Sequence, residues 1–146
     1  MGYRIPVVSV QMVKEKTMSC EVHKVRCVED AFHILSLYLS GVDREHFVVM
    51  VLDTKHKVNA IHTVSIGSLD ASVVHPREVL KVALLGNASS LIVAHNHPSG
   101  DPTPSTEDLV VTKRLQAACE IMGIPLLDHV IIGDERFISL KAGGYF

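Results

Sequence analysis

Phe47-Val48-Val49-Met50-Val51-Leu52 is a run of six apolar residues without a polar interruption. A strand with one wet face would alternate, so this run reads as a central strand covered on both faces. A sheet covered on both faces needs a layer of other elements on each side. A chain of 146 residues, 47% hydrophobic, can supply those layers in one domain with a sizeable core. The same composition argues against disorder.

The other elements follow from periodicity and punctuation. Val8, Val10 and Met12 alternate with Ser9 and Gln11, as in a half-buried strand, and Lys14-Glu15-Lys16 reads as a solvated turn. Met18 to Cys27 alternates loosely and suggests a second strand, so residues 1–26 are expected to form an N-terminal strand or extension beside a main unit of residues 27–146. A helix is predicted from Asp30 to Ser40, burying Ala31, Ile34, Leu35, Tyr38 and Leu39 and ending at Gly41. Val58 to Ile66 is the return strand after Phe47–Leu52, and Gly67-Ser68-Leu69-Asp70 a loop. Pro76 opens a helix whose apolar residues are Val79, Leu80, Val82, Ala83 and Leu84. Leu91-Ile92-Val93-Ala94 is a short buried strand, and Ser105 to Met122 a helix with Val111, Leu115, Ala118 and Met122 at helical spacing. Pro125–Ile132 and Phe137–Leu140 make a hairpin around Gly133-Asp134-Glu135-Arg136. Strands mixed with about three helices imply an α/β sandwich with a mixed sheet.

The chemistry is concentrated between His95 and Asp108. His95 and His97 are two residues apart at a strand end, so both side chains point to one face. Pro98, Gly100, Pro102 and Pro104 then forbid regular structure. Asp108 stands three residues before Val111, on the inward face of the next helix, where an unpaired carboxylate is costly. A metal held by His95, His97 and Asp108 would answer that cost. Two imidazoles and a carboxylate suit zinc, and three protein ligands leave a fourth position for water. A simpler account exists for part of the pattern: Ser105 as N-cap and Asp108 at the third helical position fit a capping box. It does not explain His-x-His upstream, nor an acid on the apolar face.

A hydrolytic zinc site also needs a proton acceptor. Glu45, at the start of the apolar strand, and Glu78, in the first turn of a helix, are the two candidates. The helix dipole alone would favour an acid at Glu78.

The run His95-Asn96-His97, seven residues, Ser105, two residues, Asp108 resembles the signature of the JAMM (JAB/MPN+) metalloprotease superfamily. Within it, His95 to Ser105, Val74-His75-Pro76-Arg77-Glu78 and Leu127-Asp128-His129-Val130-Ile131-Ile132-Gly133 are similar to the RadC branch, with the likeness spanning roughly Cys27 to the C-terminus. The resemblance implies a three-layer-like α/β sandwich of the MPN/JAB, cytidine-deaminase-like type over residues 27–146. It implies zinc on His95, His97 and Asp108, and catalytic roles for Glu45 and Ser105. The superfamily pattern puts its glutamate about fifty residues before the first histidine, which is the place of Glu45. The implied activity is cleavage of a peptide or isopeptide bond by a metal-activated water.

Two other function classes stand beside that one. A non-catalytic binding module could keep the fold, although Glu45, His95, His97, Ser105 and Asp108 are all present. A nucleic-acid-associated factor is suggested by the tie of the RadC name to DNA repair. Against it stand a net charge of −2, a pI near 6.5 and no room for the helix-hairpin-helix region of longer members. The His-x-Glu and Pro-Cys-x-x-Cys elements of a zinc deaminase are missing. Cys20, Cys27 and Cys119 make an odd count without a Cys-x-x-Cys pair, which suggests reduced thiols in a cytoplasmic protein. No apolar run is long enough to span a membrane, and Arg4, Pro6, Ser9 and Gln11 break any signal-peptide pattern. Of the remaining histidines, His23, His33, His46, His56 and His62 read as surface residues. Asp128-His129 is expected as a pair supporting the metal ligands, and Arg77 as an anion contact or part of a helix start.

Overall fold

The computed structural model describes residues 1–67 and 74–146, so Ser68, Leu69 and Asp70 of the expected loop lie outside the described residues. Among the described residues eight elements follow one another: α1 (Val28–Tyr38), β1 (His46–Leu52), β2 (Val58–Ile66), α2 (Pro76–Leu85), β3 (Ser90–Asn96), α3 (Thr106–Met122), β4 (Leu126–Ile132) and β5 (Phe137–Ser139). The strands form one sheet in the order β2-β1-β3-β4-β5. β3 and β4 are parallel and joined through α3, while the other neighbours are antiparallel, so the sheet is mixed.

The continuous apolar run does what its composition requires. Phe47, Val49 and Val51 pack with Leu91 and Val93 of β3 against Val79, Leu80 and Ala83 of α2 and Val111, Leu115 and Cys119 of α3. Val48, Met50 and Leu52 face the other way, onto Ala31, Ile34 and Leu35 of α1 together with Ile92, Ala94 and Val130. Two helices on one face and one on the other make three layers, the α/β architecture of a JAB/MPN domain. Among the described residues no helix is long and apolar enough to cross a membrane.

Four expectations are corrected. The strand anticipated over Val8–Met12 does not form: residues 1–19 are exposed and carry no strand, with Val8 78% and Val10 76% accessible. Alternation describes a strand only if a neighbouring strand is there to bond it, and among the described residues none pairs with this segment. The second strand expected from Met18 to Cys27 is reduced to one bridge, Lys24 with Lys57. Helix α1 begins two residues before Asp30, which instead sits in its first turn and accepts the backbone N–H of Arg26 at 2.8 Å. The inward face of α3 is also rotated from the expected one. Asp108, Val111, Thr112, Leu115 and Cys119 are buried, whereas Met122 is 43% exposed.

Candidate metal centre

β3 is the middle strand, hydrogen-bonded to β1 on one side and β4 on the other. Its register pairs Phe47 with His95, so His95 lies on the face that carries α2 and α3, with Leu91 and Val93. His97 follows on that face by the two-residue period. Helix α3 crosses the same face with Asp108 in its first turn. The three side chains therefore meet because a strand end and a helix start are brought together, not because they are near in sequence.

The geometry is close. His95 Nε2 lies 2.9 Å from His97 Nε2, 3.1 Å from Asp108 Oδ1, and His97 Nε2 lies 3.2 Å from Asp108 Oδ2. His95 is fully buried and Asp108 is 1% exposed, while His97 is half-buried. A group of this kind, with donor atoms all within 4.8 Å of one another, can hold a metal ion. Tetrahedral zinc with bonds of about 2.0–2.1 Å separates its ligand atoms by roughly 3.3 Å, close to these spacings.

Proton placement supports the fit. His97 Nδ1 is 2.8 Å from the backbone oxygen of Asp101. A carbonyl oxygen only accepts, so Nδ1 carries the proton and Nε2 turns a lone pair toward Asp108. Lone pairs facing a carboxylate at about 3 Å repel unless a cation, proton or metal, stands between them. That tension shows in the ionisation. Burial alone would raise the Asp108 carboxyl, but where a proton fills that gap the hydrogen bonds from His95 and His97 outweigh burial and hold it well below the usual carboxylate range. The hydrogen bond with Asp108 in turn raises His97 against the opposing effect of burial.

The capping box is present as well. Ser105 Oγ accepts the Asp108 N–H at 3.1 Å, and Asp108 Oδ2 accepts the Ser105 N–H at 2.8 Å. The two accounts of Asp108 thus hold together: the cap fixes the carboxylate in the orientation in which it meets both imidazoles. Ser105 itself is exposed at the helix start. Because its oxygen accepts from Asp108, its own hydroxyl proton points elsewhere.

Glu45 belongs to the same corner. Continuing the β1–β3 register past Phe47–His95 sets Glu45 across from His97, and its charge raises the His97 ionisation. The strap that holds it is Asn96, the residue between the two histidines. Asn96 Oδ1 accepts the His46 N–H at 2.8 Å and its amide donates to the Arg44 oxygen at 3.0 Å, gripping the backbone on both sides of Glu45. Glu78, the other candidate, forms a 2.7 Å ion pair with Lys81 on a side chain 44% exposed.

The loop between the histidines and Ser105 is tied to the β4–β5 turn. His97 N–H donates to Ile132 O and Asp134 N–H to Gly100 O, each at 2.8 Å. A Cβ on Gly133 would come within 2.3 Å of the Gly100 oxygen and 2.7 Å of Pro102 Cδ, so only glycine permits this approach.

The expected Asp128-His129 pair divides. His129 faces the site and bonds His95 Nδ1 through its Nε2 at 2.8 Å. Asp128 points to the other side of the strand and accepts from Ser139 Oγ and from the backbone of His129 and Lys141. His75 caps α2 by accepting the Arg77 N–H at 3.2 Å, which leaves the Val74–Glu78 motif as a helix start.

The RadC-like JAB domain family matches residues 25–145. The chain belongs to that family. UPF0758 proteins are similar to this RadC-family chain over most of its length. The one from Desulforamulus reducens is 57% identical over 120 residues, which is 82% of this chain and 53% of the relative. One from Caldanaerobacter subterraneus is 56% identical over 126 residues, 86% of this chain and 54% of the relative. One from Listeria monocytogenes is 49% identical over 146 residues, 100% of this chain and 61% of the relative. The RadC-family chain thus spans between 53% and 61% of the length of these relatives.

Proposed function

We propose that the chain is a zinc-dependent hydrolase that cleaves a peptide or isopeptide bond. The observation that supports this most directly is the convergence of His95 Nε2, His97 Nε2 and the Asp108 carboxylate on one point, with the charge of Glu45 acting on His97. Zinc bound there supplies Lewis acidity, lowering the pKa of a water and polarising a carbonyl. His95, His97 and Asp108 hold it, and the capping box keeps Asp108 in place. Glu45 accepts the proton that the attacking water loses as its oxygen adds to the scissile carbonyl carbon. The same carboxyl then delivers the proton to the amine nitrogen as the C–N bond breaks. Ser105 donates its hydroxyl hydrogen to the carbonyl oxygen while that oxygen carries negative charge. A cytoplasmic location accords with this reading, since Cys20, Cys27 and Cys119 are free thiols.

The test is metal analysis of the purified protein, with a peptide and isopeptide cleavage screen run with and without chelator. Stoichiometric zinc with chelator-sensitive cleavage is expected. Glu45→Gln should keep the zinc and lower turnover by roughly 10²- to 10⁴-fold. Full turnover by Glu45→Gln removes Glu45 from the mechanism, cleavage that persists in metal-free protein removes the zinc dependence, and no cleavage by the zinc-loaded protein removes the hydrolase reading.

A further inference from the structure

Among the described residues, His129 is the largest buried polar side chain that the reaction leaves unused. It lies on β4, paired in register with Val93, on the face that carries α3, and it is fully buried. Both ring nitrogens are engaged. Nε2 is 2.8 Å from His95 Nδ1, and Nδ1 is 2.6 Å from Thr112 Oγ1. Thr112, one turn along α3 from Asp108 and 1% exposed, sets its hydroxyl 2.6 Å from the Asp108 backbone oxygen.

The far end of this chain of contacts sets its direction. A carbonyl oxygen has no proton to give, so the single hydroxyl proton of Thr112 goes to Asp108 O. Thr112 Oγ1 then accepts, and the donor is the Nδ1–H of His129. His129 is wholly buried, and its two ring partners, Thr112 Oγ1 and His95 Nδ1, bring no negative charge to it, so the uncharged ring is the favoured form. A neutral imidazole with its proton on Nδ1 accepts at Nε2, so His95 donates its Nδ1–H there. His95 is left with a bare Nε2, the atom that faces His97 and Asp108. The reversed order would put a proton on His95 Nε2 and fill the position a metal needs. It would also leave Thr112 Oγ1 and Asp108 O as two acceptors 2.6 Å apart in a dry interior, which is unfavourable.

We propose that Thr112 and His129 are positioning residues: a buried relay, anchored on the backbone of one ligand residue, that sets the tautomer of another so that His95 Nε2 stays open to a cation. The relay joins Asp108 to His95 through protein atoms alone, and it gives His95 what the Asp101 carbonyl gives His97. It rests on the reading of His95, His97 and Asp108 as metal ligands. It adds the claim that the ligand set is arranged before the ion arrives, which lowers the cost of binding.

Imidazole ¹H–¹⁵N correlation spectra of the labelled, metal-free full chain read the tautomers directly. Zinc affinity is measured by competition with a chromogenic chelator for the wild type, Thr112→Val and His129→Leu, with apoprotein thermal unfolding in parallel. The wild type should show Nδ1–H on both His95 and His129. Thr112→Val keeps the side-chain shape, deprives His129 Nδ1 of its acceptor, and should mix the tautomers. Each variant should weaken zinc binding by roughly 10- to 100-fold, without a matching change for the folded apoprotein. If His129→Leu does not fold, Thr112→Val and the wild-type spectra decide. Nε2–H on wild-type His95, or unaltered zinc affinity in Thr112→Val, overturns the relay while zinc binding by the wild type still upholds the metal site. The expected tautomers in a protein with no zinc affinity overturn the metal reading and, with it, the purpose assigned to the relay.

Discussion

Helices α2 and α3 begin with the same local grammar and end up with different chemistry. Each has a polar N-cap accepting a backbone N–H, His75 in one and Ser105 in the other. Each has an acid at the third helical position, Glu78 and Asp108. Glu78 lies on the outside of its helix and pairs with Lys81 at 2.7 Å, as acids in first turns commonly do. Asp108 lies on the inside and meets two imidazoles from β3. The cap is equally good local chemistry in both places. What separates a helix start from a candidate metal centre is the face on which the acid falls and what the sheet presents to it there.

The sharpest way to break the comparison is to neutralise each acid. Asp108→Asn keeps an oxygen for the Ser105 N–H, so the helix start survives, but the charge that completes the ligand set is gone. Zinc should be lost on dialysis, with the fold kept by circular dichroism. Glu78→Gln removes an exposed ion pair, and should leave both zinc content and the unfolding midpoint unchanged. Zinc retained at full stoichiometry by Asp108→Asn would show that Asp108 is a cap and no more.

The distinction between the two acids was legible in part. Val111 lies three residues after Asp108, and helical spacing alone carries the acid onto the apolar face. The apolar run of β1 gave away a two-sided sheet, and β2 falls on Val58–Ile66 as its pattern predicts. Period-two logic also separates Asp128 from His129, since adjacent strand residues face opposite ways, and treating them as a pair overlooked that. Thr112 carried a weaker signal: a hydroxyl four residues beyond Asp108 on the same helical face. Its partner lies across the crossover on β4, and nothing local to either residue names the other. Val8–Met12 failed for the converse reason. Alternation is a local property, whereas a strand exists only through a neighbour. Asn96 was hidden by its place between two histidines, where its side chain points off the opposite face to grip Arg44 and His46.

A smaller effect separates the loops that lead into the two helices. The segment before α3 is pressed against the β4–β5 turn at Gly133, where an added Cβ would meet backbone at 2.3 Å. Gly133→Ala must push back either the Gly100–Pro102 segment or the hairpin. Overpacking of this kind costs about 1–3 kcal/mol, read as a fall in the unfolding midpoint of the metal-free protein. Because the displaced loop holds the Asp101 carbonyl that orients His97, zinc affinity should fall as well. Unaltered stability in Gly133→Ala would mean that the loop is not braced by the hairpin. Position 86 offers the contrast: a Cβ there would meet Val51 Cγ1 and the Val82 oxygen at 3.1 Å, far from any ligand, so Gly86→Ala should alter stability without altering zinc affinity.

The smallest effect concerns the caps themselves. Ser105 Oγ accepts at 3.1 Å within a reciprocal pair of bonds, whereas His75 Nδ1 accepts a single N–H at 3.2 Å. Ser105→Ala removes the hydroxyl half of a two-way lock and should cost the metal-free protein about 1 kcal/mol. His75→Ala removes a weaker acceptor beside Pro76, whose fixed backbone already favours the helix start, and should cost only a few tenths. Ser105→Asp then separates capping from catalysis, since aspartate caps as well as serine but has no hydroxyl proton to donate. Its stability should return toward the wild type while turnover stays low. If Ser105→Asp regained turnover along with stability, Ser105 would serve α3 in the way His75 serves α2, and the two helix starts would differ in their acids alone.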